Sequence, residues 1–229
     1  MNESNRPSAA LDGEQHVSGA ARKRKRPPSP RQIAKNSETR RRLIEAAGLV
    51  VGKYGYAGAS IARITAKAGV AHGTFYLHFA NQQALFDVLL PELGRSMLDA
   101  ISAAVRDSSS LEELERRGLT ANIDYLVRNP ALYRVMNEAA LYAPKAYRQH
   151  VNQVRDRYFR SLQRSRDRGD LKNFSDGELE TIVALLTGAR THLLLQFAET
   201  RKGLRKLDPE RIETYLEVFL NGLRARYGA

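Results

Sequence analysis

Apolar residues recur at helical spacing along most of the chain, and this periodicity is the feature that most restricts the fold. Near the start of the pattern, Leu43, Ala47 and Val50 would share one helix face, and the pattern stops at Gly55. We find no run of alternating β-branched residues bounded by turn signals, so no sheet is expected. The periodicity therefore predicts an all-α fold.

Capping and breaking residues divide the pattern into helices. Ser60 is placed to cap a short helix that Gly69 ends, and Asn81 is placed to cap a longer one, which Pro91 should kink. Between them lies a short segment from His72 to Phe79. The later helices are expected at Leu111–Arg128, Pro130–Tyr142, Lys145–Arg168, Asp176–Thr200 and Pro209–Tyr227.

Composition excludes several classes of protein. The 229 residues contain no cysteine, which rules out disulfides, thiolate metal sites and a cysteine nucleophile. Neither an apolar signal core nor a run of about 18 apolar residues is present, so a cytoplasmic protein without a membrane partner is expected. The length is enough for one large domain or two small ones.

The positive charge is concentrated near the N-terminus. The formal net charge is +12, and residues 1–80 carry 14 Lys or Arg against 5 Asp or Glu, whereas the remaining residues carry 23 against 20. A solubilising surface would also account for a basic chain. The asymmetry favours a polyanionic partner, nucleic acid first.

Residues 1–36 are rich in Ser, Pro, Gly and charge and poor in apolar pairs, so we expect a disordered basic arm. Its run of five basic residues, Arg22 to Arg26, could track phosphates or enter a minor groove. The alternative is a solvated tail without a specific contact.

Residues 60–79 have the parts of a helix-turn-helix. Ile61 and Ile64 would pack the first helix, and Gly69 would supply the tight turn. In the second helix Phe75 and Phe79 would point inward. The remaining sides carry hydroxyl, imidazole and phenol groups, which suit close contact with phosphates and base edges. An αα-corner without a ligand is the plainer alternative.

Residues 69–79, followed by Asn81 and Leu85, resemble the signature of the tetracycline-repressor (TetR) family of bacterial transcription regulators. The family pattern is Gly-Val-Ser-x-Gly-Thr-aromatic/Leu-Tyr-x-His/Tyr-Phe. The resemblance covers about residues 39–88, and beyond it the similarity is one of length and all-helical architecture. It implies an N-terminal three-helix DNA-binding domain at 37–83 and a larger helical effector-binding and dimerisation domain at 84–229.

The resemblance makes His72–Phe79 the recognition helix, lying in the major groove. The residues it implies at the DNA are Arg40, Ser60, His72, Gly73, Thr74, Tyr76 and His78. Two positions depart from the family. Ala71 replaces a capping Ser, and Gln82 replaces a Lys that often meets a phosphate. The first change should cost about 1 kcal/mol of local helix stability, and the second removes one phosphate contact.

The resemblance also implies a homodimer and an effector pocket. The last two long helices would form an intersubunit four-helix bundle through Ile182, Leu186, Ala189, Leu193, Ile212, Leu216, Phe219 and Leu223. The alternative is that both stripes belong to the chain's own core. The middle helices would line a small-molecule site with Met97, Tyr125, Tyr133, Met136, Asn137, Tyr142, His150, Tyr158 and His192. Each of these residues could equally be core.

No phosphate loop, metal-ligand spacing or nucleophile motif is present, so neither an enzyme nor a metal or other cofactor is expected. The sequence therefore predicts a DNA-binding transcriptional regulator, a ligand-responsive repressor that binds a palindromic operator as a homodimer. Its partners would be double-stranded operator DNA and a small-molecule effector. The alternatives are a non-specific nucleoid-type DNA-binding protein, an activator of the same fold, or a helical enzyme acting on a small molecule.

Overall fold

The computed structural model describes residues 29–200 and 203–225, with side chains up to residue 222. Over these residues the chain forms helices joined by short connections. The helices are α1 (Pro30–Gly58), α2 (Ile61–Ala68), α3 (His72–Phe75), α4 (Gln82–Ala104), α5 (Leu111–Arg128), α6 (Pro130–Tyr142), α7 (Pro144–Arg168), α8 (Asp176–Leu193) and α9 (Pro209–Ala225). A π-helical turn, Leu194–Ala198, extends α8.

Polar caps explain where the helices begin. Ser29, Ser60, Asn81 and Ser110 each accept the backbone N–H three residues further on. Ser175 forms a capping box with Glu178 at the start of α8. At two helix ends, Gly69 (φ 64°) and Gly169 (φ 107°) take the left-handed conformation that other residues adopt at a cost. Local sequence therefore sets most of the boundaries.

Helices α1, α2 and α3 form an N-terminal three-helix unit, and α4 follows it in the chain. Leu43, Ala47, Ile64, Phe75 and Leu85 are all fully or almost fully buried and belong to one continuous apolar core with the later helices. Since α4 begins at Gln82, with six residues between it and the end of α3, and continues to Ala104, it joins the two parts of the chain as one continuous helix. Pro91 lies inside this helix and is buried.

Close helix crossings connect the halves. The backbones of α1 and α6 approach so tightly that a Cβ on Gly52 would lie 2.5 Å from Ala131 Cβ. Beside this crossing, Glu138 on α6 accepts the Tyr56 N–H at 2.8 Å, and Arg134 donates to the Lys53 carbonyl at 3.1 Å. Helix α6 therefore packs on α1 and also forms hydrogen bonds with backbone groups near the C-terminal end of α1.

Three boundaries differ from the sequence expectations. Helix α1 begins at Pro30, so residues 30–36 are helical rather than disordered; residues 1–28 and the basic run lie outside the described residues. Within α1, Gly55 is non-helical (φ 72°), and the helix resumes to Gly58. Capping by Ser29 and a proline at the first helical position explain the early start.

The second and third differences concern α3 and α8. Helix α3 ends at Phe75, and hydrogen-bonded turns carry the chain on to Phe79. Instead of a helix to Thr200, a two-residue antiparallel hairpin pairs Glu199–Thr200 with Gly203–Leu204. The expectation of no sheet was thus wrong at this hairpin, which is too short to show the alternating pattern by which strands are recognised.

We predict that Gly52→Ala destabilises the fold by about 1–3 kcal/mol, because the added methyl group has no room against Ala131. Urea unfolding measures the difference. Gly177→Ala is the matched control: nothing lies within 4 Å of its added Cβ, so its stability should stay unchanged or rise by up to about 1 kcal/mol. Equal stability of the Gly52 variant and wild type would contradict the tight crossing.

Candidate functional site

The α2–turn–α3 segment forms the first part of the site. Gly69 turns the chain after α2, the Val70 N–H donates to the Thr65 carbonyl at 3.1 Å, and α3 follows two residues later. Phe75 is fully buried and Phe79 nearly so, and their rings are 5.6 Å apart. These two side chains anchor the short helix and leave its opposite side open to solvent.

The open side carries small or uncharged polar groups. His72, Gly73 and Tyr76 are exposed, and the His72 and Tyr76 rings meet edge to face at 5.8 Å between centroids. Thr74 and His78 are half-buried. Burial, and secondarily the charge of Arg40, lowers the pKa of His78, which favours the neutral form of its ring. The face can approach a duplex closely and offer both donors and acceptors.

Two of the expected DNA contacts also have structural roles. The Ser60 hydroxyl accepts the Arg63 N–H at 3.3 Å while its own proton remains available to a phosphate oxygen. The Arg40 guanidinium lies 5.3 Å from the Phe79 ring centre and 3.9 Å from Glu92, which directs it toward α4. Arg40 is therefore placed at the junction of α1, α3 and α4.

The two departures from the family pattern have visible consequences. Ala71 precedes α3 without a side-chain capping bond. Gln82 donates from Nε2 to the Ala59 carbonyl at 2.6 Å, which fastens the start of α4 to the segment before α2. The Gln82 side chain thus forms a hydrogen bond within the protein and is not free to bind a phosphate.

Sequence reasoning missed two basic groups beside this face, Arg63 and Lys67. Arg63 and Lys67 are exposed on α2, and Arg42 on α1 donates to the Ala68 carbonyl at the end of α2. Helical spacing could have placed Arg63 and Lys67 on one face because they are four residues apart. No local signal predicts the Arg42 contact, which spans 26 positions.

The second part of the site is a cavity of about 1000 Å³ among α4, α5, α6, α7 and α8. Its walls include Met97, Tyr133, Met136, Asn137, His150, Tyr158 and His192, seven of the nine side chains expected there. The other two lie elsewhere. Tyr142 stacks on Tyr56 with 5.8 Å between ring centres, and Tyr125 packs on the core outside the cavity lining. Both are helical aromatics whose partners the sequence could not identify.

His150 is the most unusual polar group on the wall. It is 3% exposed, and neither ring nitrogen has a hydrogen-bond partner. The ring lies on α4 at Gly94, where a Cβ would come within 2.5 Å of its Cε1 atom. Burial lowers the pKa of His150 from 6.5 to about 4, so the imidazole is neutral at pH 7.

A buried ion pair closes one end of the cavity. Arg190 on α8 meets Glu115 on α5 at 2.7 Å, and the hydroxyls of Tyr158 and Tyr215 donate to the same carboxylate. The Arg190 guanidinium also lies 4.6 Å from the Tyr158 ring centre. Since Tyr215 belongs to α9, this cluster holds α5, α7, α8 and α9 together. Among the described residues, no His, Asp or Glu cluster could hold a metal ion.

The expected dimer stripe points partly inward. Ile182, Leu186 and Leu216 are buried within the chain's own core, a placement that differs from the sequence expectation. Ala189, Leu193, Ile212 and Phe219 are half-buried, and the side chain of Leu223 lies outside the described residues. The large apolar side chains that remain exposed on the described parts of α8, its extension and α9 are Leu185 (60%), Leu195 (51%), Phe197 (36%) and Val218 (63%). Both helices have two apolar sides, and periodicity alone cannot assign one to a partner.

Together these features define a class: a helix-turn-helix DNA-binding protein with a helical, cavity-containing domain attached through α4. Comparison with known proteins agrees. Residues 43–89 match the family described as bacterial regulatory proteins, tetR family. An HTH-type transcriptional regulator of Bacillus subtilis, YhgD, is 27% identical over 188 residues, which cover 80% of this chain and 95% of that protein.

Two further similarities extend over most of the chain. A TetR-family regulator structure from Mesorhizobium loti superposes with a TM-score of 0.64 at 18% identity, covering 85% of this chain and 99% of that one. The nucleoid occlusion factor SlmA of Vibrio vulnificus is 24% identical over 187 residues, 80% of this chain and 94% of that protein. Residues 43–89 thus match the DNA-binding domain of the tetR family, and the rest of the chain has the fold seen in regulators of that family. The protein is a DNA-binding transcriptional regulator and not an enzyme.

We predict that His150 makes stability depend on pH. Because its folded pKa (about 4) is below its ordinary 6.5, the unfolded chain binds the proton first, and stability should fall by about 3 kcal/mol as pH drops from 6.5 to 4. In His150→Leu this component is absent. Urea unfolding of both proteins at pH 7, 5.5 and 4 isolates it, since titration of the carboxylates is common to the two. Parallel pH profiles would refute the neutral buried imidazole.

Proposed function

We propose that the protein is a ligand-responsive repressor that binds a roughly palindromic operator as a homodimer. The observation that carries this proposal is the joining of two sites by one helix. The exposed side of α3 suits a major groove, and α4, which is separated from α3 by six residues, also forms a wall of the cavity. A molecule bound in the cavity therefore contacts the rod on which the DNA-reading unit is mounted.

In this proposal α3 reads base edges and the surrounding groups position it on the backbone. His72, Gly73, Thr74 and Tyr76 face the groove. Phosphates would be met by polar and basic groups around α3: Ser60, Arg63, Lys67 and His78. Arg40 would support the junction of α1, α3 and α4 behind these groups. One half-site is read by one short helix, so two copies are needed to recognise an operator.

The exposed apolar side of α8 and α9 supports a dimer. Leu185 and Leu195 project from α8 and its extension, and Val218 projects from α9. The small exposed residues Ala184 and Gly188 on α8 would allow close approach. Among the described residues, Asp176–Ala198 has the length and the mean hydropathy (1.2) of a membrane-crossing helix. A subunit interface explains this apolarity better, because Arg190 in the same helix is paired with Glu115 inside the domain.

The effector would act by moving α4 and α6. The cavity reaches Leu90, Met97 and Ile101 on α4 and Tyr133 and Asn137 on α6, and α6 in turn holds the end of α1. A shift of either helix changes the spacing of the two recognition helices from the roughly 34–36 Å required by half-sites one turn apart. The ligand weakens DNA binding only to the extent that it prefers the DNA-incompetent state.

Action on DNA places the protein in the cytoplasm.

A second candidate is a nucleoid protein that binds DNA at many places. The similarity to a nucleoid occlusion factor over most of the chain supports this second candidate. Competition distinguishes the two: a regulator bound to the intergenic DNA beside its own gene resists excess random duplex, whereas a general nucleoid binder is displaced by it. An inverted repeat protected from nuclease within that fragment would identify the operator.

We predict that Thr74→Ala and Tyr76→Ala each lower operator affinity by about tenfold or more, because each removes contacts at the base edges or adjoining phosphates. Electrophoretic mobility shift with the protected fragment measures this loss. Tyr76→Phe separates the hydroxyl from the ring. Thr120→Ala, on the exposed side of α5, is the matched control and should bind as wild type does. Unchanged affinity of both Ala variants would remove α3 from the DNA interface.

We predict that Leu185→Glu converts the dimer to a monomer, since two carboxylates would be buried at the proposed interface. Sedimentation velocity gives the mass before and after the change, and circular dichroism checks that the helices remain. Leu141→Glu provides the control, because Leu141 on α6 is even more exposed (76%) but lies away from α8. A Leu185→Glu protein that stays dimeric would place the interface elsewhere.

A further inference from the structure

The walls of the cavity are mainly apolar, and among the described residues the buried polar atoms without a partner on them are the two ring nitrogens of His150 and Nε of Arg190. Leu90, Met97, Leu98 and Ile101 of α4 line one side, and a volume of about 1000 Å³ is large enough for a small organic molecule. His150 lines the same space. A molecule that fills the cavity therefore meets mainly apolar surface, and among the polar side chains on the wall His150 is the one with both of its polar atoms unpartnered.

The state of His150 determines what that point recognises. A buried polar group without a partner is costly, and a ligand that supplies the partner recovers that cost. Burial keeps the imidazole neutral at pH 7, as its lowered pKa of about 4 indicates. A neutral imidazole has one N–H donor and one bare nitrogen acceptor. A hydroxyl group, which donates and accepts, is complementary to either nitrogen.

The charges of the wall argue against an ionic ligand. The buried cation, Arg190, is balanced by Glu115 at 2.7 Å, so it presents no unmatched charge. Arg157 pairs with Asp99 at 2.6 Å, and Arg155 pairs with Asp156 at 2.9 Å. The further carboxylates on the lining, Glu180 and Glu199, are exposed. A bound anion would find no unpaired positive charge to balance it. A bound cation would lose its hydration against a mainly apolar wall.

We propose that the cavity binds an uncharged, largely apolar molecule with one hydroxyl group, and that His150 recognises that hydroxyl. This inference rests on the proposed effector role of the cavity. It also assigns a route to α4: the imidazole that holds the ligand lies directly on Gly94, about 18 Å along the helix axis from its start at Gln82.

The first test compares three probes of equal chain length: decan-1-ol, decanoate and decyltrimethylammonium. Isothermal titration of the full-length protein at pH 7 should show decan-1-ol binding about tenfold or more tightly than either ion, because only the ions must bury an unbalanced charge. Absent binding of the alcohol, or binding of decanoate or decyltrimethylammonium as tight as that of the alcohol, overturns the proposal.

The second test locates the hydroxyl. His150→Leu keeps the side chain's bulk without its nitrogens and should weaken decan-1-ol binding about fivefold, while His150→Gln, which can both donate and accept, should restore most of it. Thermal unfolding checks that each variant is folded. In nitrogen-detected spectra of the five histidines, the resonances lost in His150→Leu should be those that decan-1-ol shifts. Unshifted His150 resonances, or equal affinity of the Leu variant, overturn the assignment.

Operator binding without any probe is measured separately, so the two proposals fail independently. If wild-type protein binds no operator, the regulatory function fails, yet the probe series still decides the chemistry of the cavity. If decan-1-ol binds at His150 and the protein–operator complex is unaffected, the recognition stands and the ligand response fails. If the protein binds operator and all three probes are rejected, only the inference about the cavity is lost.

Discussion

Close contact at two glycines is the constraint on which the rest of the structure depends. Gly52 allows α1 to touch α6 at Ala131, and Gly94 allows α4 to carry the His150 ring directly on its backbone. Interiors are packed too densely for such crossings to stretch gradually, so a side chain added at either position must move a helix. These contacts make the DNA-reading unit and the cavity parts of one packed body, although the residues that meet are 79 and 56 positions apart in the chain.

The division of labour within the DNA-binding unit follows from the sizes of its side chains. Helix α3 is only one turn long and displays hydroxyl, phenol and imidazole groups, so it can enter a groove deeply but contributes little charge. Attraction to phosphates must come from neighbours such as Arg63 and Lys67. Gln82, which fastens α4 to Ala59, helps to hold that arrangement in register with the cavity domain.

Local signals in the sequence were reliable where the physics is local. Helices α5 and α6 begin and end at the expected residues because Ser110, Pro130 and the adjoining turns act within a few positions. The prediction that residues 30–36 are disordered was wrong, because a capping serine and a proline start α1 at Pro30 despite the low hydrophobicity of this segment. Of the expected cavity residues, the structure places seven on the wall. Helical spacing could not distinguish Tyr125 and Tyr142 from the other members of the set, because all nine side chains lie on helices and the sequence does not show which side of each helix meets the cavity.

By itself, the sequence determined that the chain is helical and where most helices begin, because caps, glycines and 3.6-residue periodicity are properties of neighbouring residues. The resemblance of residues 69–79 to the TetR signature added the prediction of a DNA-reading motif. Only the tertiary structure decided which apolar sides of α8 and α9 are internal, that Arg190 and Glu115 neutralise each other, and that His150 is left without a partner beside a cavity. Those outcomes depend on contacts between distant segments, where burial and charge balance are set by the whole packed assembly of helices.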